Sequence, residues 1–134
     1  MKNLVILAGN VGATPETRTT SGGAKITSFS LATSRPKRDS DGKILKDADD
    51  RTVEDTEWHR ITCFNGLARV VAQHATKGML VSVRGRIHNS KWTDKDGIDR
   101  YGYEIIADDV QFLGRPKQPS EPAEAANEDD DLPL

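Results

Sequence analysis

The stretch Thr56-Glu57-Trp58-His59-Arg60-Ile61-Thr62-Cys63-Phe64 limits the choice of fold more than any other part of the chain. An extended strand sends alternate side chains to opposite faces. On that period Trp58, Arg60, Thr62 and Phe64 share one face, and His59, Ile61 and Cys63 share the other. The second face is small and apolar, and suits a core. The first carries two large rings with a guanidinium between them. One reading makes that face a second buried layer, because aromatic residues in strands commonly pack inside. Arg60 argues against it. A charge in a dry core is costly without a partner, whereas a wet face that stacks bases and holds phosphates accommodates it.

A second stretch repeats the pattern. From Met79 the odd positions Met79, Val81, Val83, Gly85 and Ile87 form a predicted core face. The even positions Ser82, Arg84, Arg86, His88, Ser90 and Trp92 form a polar, basic face that ends in tryptophan, with Lys91 beside it. Two strands, each apolar on one side and carrying aromatics and arginine on the other, point to a platform for single-stranded nucleic acid.

Total charge conceals this. The chain of 134 residues has a formal net charge of −2. Residues 118–134 carry six acids and no Lys or Arg, so residues 1–117 hold 19 bases against 15 acids, or +4. Within them, residues 39–57 hold three bases and eight acids, or −5, which leaves +9 for the rest. The charge of the contacting face matters more than the sum. No apolar run reaches membrane-spanning length, and the amino end lacks the regions of a signal peptide. The single cysteine, Cys63, excludes an intramolecular disulfide framework and fits a reducing cytoplasm. His59, His74, His88 and Cys63 show no metal-ligand spacing, and no Walker-type glycine loop is present. No cofactor or metal is called for, no catalytic set is favoured, and an enzyme is not expected.

Along the chain, residues 3–9 are apolar on both parities, as a strand buried on both faces in a barrel or subunit interface would be. Glu16–Thr20 is a polar extended segment closed by the turn Ser21-Gly22-Gly23. Lys25–Ser34 reads as a strand with Phe29 and Leu31 in the core. Arg35–Asp55 is a charged excursion, read as a hairpin turning at Asp41-Gly42 with a mobile tip. After Asn65-Gly66, the residues Leu67, Val70, Val71, His74 and Ala75 recur at helical spacing, and Lys77-Gly78 is a stop. Lys95-Asp96-Gly97 turns the chain into a strand with Tyr101, Tyr103, Ile105 and Ala107 alternating, followed by a short last strand, Val110–Leu113. Many strands, one helix and no strand–helix repeats predict an all-β fold. The expected form is the OB-fold, a five-stranded Greek-key barrel with one short helix, over residues 1–114. Residues 115–134, rich in proline, alanine and acids, are expected to be a disordered tail. The tip of that tail reads either as a docking peptide or as a solubilising end.

These residues resemble the bacterial-type single-stranded DNA-binding proteins. The matching pieces are Gly9-Asn10-Val11-Gly12 with Pro15-Glu16 and Arg18; Leu31-Ala32-Thr33-Ser34; Thr56-Glu57-Trp58-His59-Arg60; Lys77-Gly78; Lys91-Trp92-Thr93-Asp94; and Asp99-Arg100-Tyr101. With the acidic tip they extend over residues 1–114 and 128–134. The resemblance implies an OB-fold core and a homotetramer, with DNA wrapped over aromatic and basic surfaces. It implies that Trp58, Phe64 and Trp92 stack on bases, in agreement with the parity argument. His59 would lie near a subunit interface. The tip Asp129-Asp130-Asp131-Leu132-Pro133-Leu134 would recruit replication, recombination and repair proteins, and the setting would be cytoplasmic, on the nucleoid. Three departures stand out. Lys37 occupies a place where the family often has a stacking tryptophan. The excursion after Arg38 is long and acidic. The tip ends in leucine where the family usually has phenylalanine.

The reaction class implied is binding, without catalysis and largely without sequence preference. The candidate phosphate contacts are Arg60, Arg84, Arg86 and Lys91, together with Lys37, Arg38 and Arg100. Two alternatives stand beside this reading: an RNA-binding module of the same fold with the same platform chemistry, and a protein adaptor that keeps the barrel and tail but has lost strong DNA binding. The adaptor is supported only by Lys37 and the acidic segment 39–57 and opposed by Trp58 and Trp92.

Overall fold

A computed structural model describes residues 1–114 as seven elements. They are β1 (Val5–Val11), β2 (Glu16–Thr19), β3 (Lys25–Pro36), β4 (Glu54–Phe64), α1 (Asn65–His74), β5 (Leu80–Thr93) and β6 (Asp99–Gly114). The strands run β1-β5-β6-β4-β3-β2 across one sheet, and β1 pairs again with β3. That second pairing closes a five-stranded barrel, with β2 added on the outside edge of β3. All pairings are antiparallel except β4 with β6. This is the OB-fold arrangement.

Closure requires β1 to serve two partners. Residues Val5 to Asn10 pair with β5, while Asn10 and Val11 pair with β3. Gly9 lies at this transfer, and a Cβ there would stand 2.1 Å from the Ala32 carbonyl oxygen. Gly85 makes a similar approach on β5, where a Cβ would stand 2.1 Å from the Ile106 carbonyl oxygen. Only a residue without a side chain fits either crossing.

The core follows the period-2 pattern. Leu31, Ile61, Cys63, Val81, Val83 and Ile105 are buried inside the barrel with Val11 and Phe29. Burying such a side chain is worth roughly 1.5–3 kcal/mol. Helix α1 plugs one end with Ala68 and Val71. The buried Thr27 hydroxyl donates to the Ala68 carbonyl at 2.8 Å and meets the Thr17 hydroxyl at 3.1 Å, so its polar atom is satisfied. Burial pushes the Cys63 thiol up to about 12, which makes it an inert core group.

Several expectations are corrected. The helix begins at Asn65 and ends at His74, ahead of Lys77-Gly78; Gly78 instead turns the chain at φ 87° before β5. Strand β6 is continuous through Val110–Leu113, because pairing with β5 skips Asp108 and Leu113 as bulges and so flips the inward parity. Tyr101 and Tyr103 are exposed where β5 and β6 outrun the barrel as a two-stranded ribbon, and Ile87, opposite the buried Ile105, is left half-exposed on an apolar hollow. The outward side of β1 is likewise open at Ile6, and Leu4 just before the strand is exposed too.

The excursion is ordered differently from a single hairpin. Lys37 N–H donates to Val53 O, Leu45 N–H to Lys37 O, and Val53 N–H to Leu45 O, at 2.8, 2.8 and 3.0 Å. This ring of three bonds closes two successive lobes. In each, an aspartate (Asp39, Asp47) accepts two backbone N–H groups through Oδ1. Asp94 builds the same turn between β5 and β6.

Gly85→Ala is expected to destabilise the barrel by about 1–3 kcal/mol, the usual cost of forcing atoms into a packed site. Thermal unfolding measures it as a lower Tm.

Candidate nucleic-acid interface

Closing the barrel gives its wall one outward face. On β4 that face carries Trp58, Arg60, Thr62 and Phe64, as the alternation predicts. Trp58 is 60% exposed, Trp92 50% and Phe64 39%, so these rings stand in solvent and do not form a second core layer. Thr62 differs. It is buried, and its hydroxyl donates to Glu104 Oε1 on the adjacent β6.

Each tryptophan has a built seat. A Cβ on Gly12 would come within 2.5 Å of Trp58 Cζ3 and 2.6 Å of Ser30 Oγ. Gly12 is fixed there by donating its N–H to the Ser30 carbonyl at 2.8 Å. A Cβ on Gly102 would come within 3.1 Å of Trp92 Cζ3, and Ser90 Oγ is also close. Both rings therefore lie against a glycine beside a serine. The support limits how each ring can move and leaves its other face to solvent. Beside Trp58 and Arg60 runs a cleft of about 350 Å³, walled by Ala13, Thr14, Glu16, Ser28 and Ser30.

The basic candidates fall into two groups. Arg60, Arg84 and Arg86 are exposed on the outward face. Arg60 Nε lies 4.0 Å from Glu104 Oε1; Arg84 lies between Ile6 and Asp109 in register. Lys91, Arg38 and Arg100 are engaged locally. Lys91 Nζ lies 3.6 Å from Asp99 and 5.6 Å from the centroid of the Tyr101 ring, on the ribbon face opposite Trp92. Arg38 donates to the Gly42 carbonyl at 2.8 Å, within its own lobe. Arg100 Nε lies 2.8 Å from Asp94 Oδ2. The Asp94 carboxyl is held below its usual value by the Ile98 N–H first, and then by Arg100 and the Asp96 N–H. Surface pairs of this kind contribute little, so a phosphate competes with them readily. Lys37 forms no ion pair among the described residues; it stands at the root of the lobes.

His59 faces the other way. Its Nε2 lies 2.9 Å from Thr33 Oγ1, and it lines an apolar hollow of about 390 Å³ with Val5, Leu7, Ile87 and Tyr103. The tip residues Asp129, Asp130, Asp131, Leu132, Pro133 and Leu134 lie outside the described residues. Sequence reasoning missed Gly102 and Glu104, and it named Gly12 and Tyr101 only as motif and strand residues, with no part in the interface. No sequence signal marks the glycines as seats, because Ser30 and Ser90 reach them only across paired strands.

Barrel, seated rings and flanking arginines define an OB-fold with an aromatic and basic wall. The family model described as the single-strand binding protein family matches residues 2–113. The chain belongs to that family. A single-stranded DNA-binding protein of Xylella fastidiosa is 41% identical over 112 residues, covering 84% of this chain and 63% of the relative. One from Neisseria meningitidis serogroup A is also 41% identical over 112 residues, covering 84% of this chain and 60% of its own. The chain thus spans about three fifths of the length of these relatives. A solved structure, the Plasmodium falciparum SSB complex with ssDNA, superposes with a TM-score of 0.71 at 31% identity, covering 84% of this chain and 96% of the other.

Gly12→Ala is expected to displace the Trp58 ring by about 1 Å, since carbon contacts settle near 3.5 Å. Acrylamide quenching of tryptophan emission is expected to rise more in this variant than in Gly102→Ala, where the overlap is smaller.

Proposed function

We propose that this chain binds and protects single-stranded DNA without catalysis and largely without sequence preference. The observation that carries this reading is the pair of seated, half-exposed tryptophans on one wall with Arg60. Stacking on such rings needs only a base's π-face, which every base has and duplex DNA hides. The exposed guanidiniums of Arg60, Arg84 and Arg86 supply sequence-blind attraction to the backbone. Family membership and a relative solved with ssDNA support the same reading.

We further propose that the chain works as a homotetramer in the cytoplasm, on the nucleoid, in replication, recombination and repair. The exposed Leu4 just before β1 and Ile6 on it, and the apolar hollow beside His59, support self-association, because isolated barrels rarely leave such groups in water. The tip Asp129–Leu134 is proposed to recruit partner proteins; its acidic run closed by two leucines supports this.

Titration with oligo(dT) at several salt concentrations tests the binding. Tryptophan quenching, a log–log salt slope of roughly −0.7 per phosphate contacted and weak response to duplex are expected. Trp58→Ala or Trp92→Ala is expected to weaken binding by about 1–3 kcal/mol per lost stack. Tighter binding to oligo(U) would move the assignment to RNA, and no binding at low salt would leave the adaptor reading. Sedimentation velocity tests the assembly: Ile6→Asp is expected to shift the chain to a smaller species.

A further inference from the structure

The strip of wall between the two tryptophans carries an acid, Glu104, and the fold holds it still. Its Oε1 accepts from the Thr62 hydroxyl and lies 4.0 Å from Arg60 Nε. Thr62 is 4% exposed, so the hydroxyl that fixes the carboxylate is itself withdrawn from water. The Glu104 side chain keeps 24% of its surface open and that of Arg60 keeps 63%. Arg60 also reaches toward Ser28 Oγ at 3.5 Å. Gly102, the seat of Trp92, precedes Glu104 by two residues on the same face of β6, and Trp58 precedes Arg60 by two on β4.

A fixed carboxylate here works against a phosphate, which it repels. It suits a base edge. An ionised carboxylate only accepts hydrogen bonds, and a guanidinium only donates them. Side by side they match an edge that offers an amine next to a carbonyl or ring nitrogen. Cytosine presents its N4 amine to the carboxylate and N3 or O2 to the guanidinium. Guanine presents N1–H and its N2 amine to the carboxylate and O6 to the guanidinium. Thymine has no exocyclic amine. Its lone N3–H lies between two carbonyl oxygens that the carboxylate would oppose.

We propose that Glu104, paired with Arg60, reads the Watson–Crick edge of one nucleotide lying between the bases stacked on Trp58 and Trp92, and favours the amine-bearing bases (cytosine, guanine and, through N6 and N1, adenine) over thymine there. This rests on the single-strand reading above and adds a modest local preference to a platform that otherwise ignores sequence. Carboxylate contacts to the cytosine amine are a known form of base readout.

The test compares dissociation constants of the full chain for oligo(dT) and oligo(dC) of equal length, at one salt concentration and pH 8. Glu104→Gln keeps the size and an acceptor for Thr62 while removing the charge. The expected result is a fall of about five-fold or more in the preference for oligo(dC) relative to oligo(dT), the size of one good base contact. Thr62→Val keeps the charge but releases the carboxylate. It is expected to lower the same ratio while leaving the salt slope unchanged. A structural defect alone would weaken both oligomers alike. Equal factors for the two oligomers in both variants, or no change in either, would overturn the proposal. Wild-type chain that binds neither oligomer would overturn the single-strand reading itself, which is a separate outcome.

Discussion

Strand β1 has more partners than one straight strand can hold, and the rest of the barrel depends on how it manages this. It must leave β5 and reach β3 within a residue or two. At Gly9 the backbone of β3 comes so near that its Ala32 carbonyl occupies the space a side chain would need. Hydrogen bonds on both sides of β1 then turn a sheet with two free edges into a ring. Without that contact, β1 and β3 would be open edges, and the core residues Val11 and Leu31, which flank the crossing, would lose their cover.

Closure also decides the fate of every outward side chain. A closed wall has one outside, so residues from distant parts of the chain share a surface by parity alone. Trp58 and Trp92, far apart in sequence, come to the same wall in this way. Exposed rings on a smooth wall would be free to sweep over it. The glycine under each removes that freedom, because the ring fits where a Cβ is missing. Stacking therefore begins with the rings already ordered, and less side-chain entropy is lost on binding. The charges around them follow the opposite rule. Most are held by partners too weak to compete with a phosphate, as with Lys91 and Asp99.

Much of this was legible in the sequence wherever period 2 ran unbroken. The faces of residues 56–64 and the inner face of β5 as far as Gly85 read directly. Legibility stopped where geometry departed from the period or from the barrel. The bulges at Asp108 and Leu113 switch parity inside β6, so one strand looked like two. Alternation continues through Tyr101 and Tyr103 beyond the end of the barrel, where an inward face has no core to meet. The second lobe was hidden because its left-handed position is Asp50, at φ 62°, with no glycine to mark it. Glu104 escaped notice because its partner Thr62 reads as one more polar residue. Only the parallel pairing of β4 with β6 brings the two together.

The lobes of the excursion have a consequence for how the arm changes length. Ring positions 37, 45 and 53 are spaced by eight residues, and each intervening unit closes on its own aspartate turn. A ring reduced to two positions is an ordinary antiparallel pair, in which each residue both donates to and accepts from the other. The stem between Pro36 and Glu54 presents the same ends in either case. The arm is thus modular. Adding or removing one whole unit of eight residues is compatible with the same β3–β4 register, and with it the same position of Trp58.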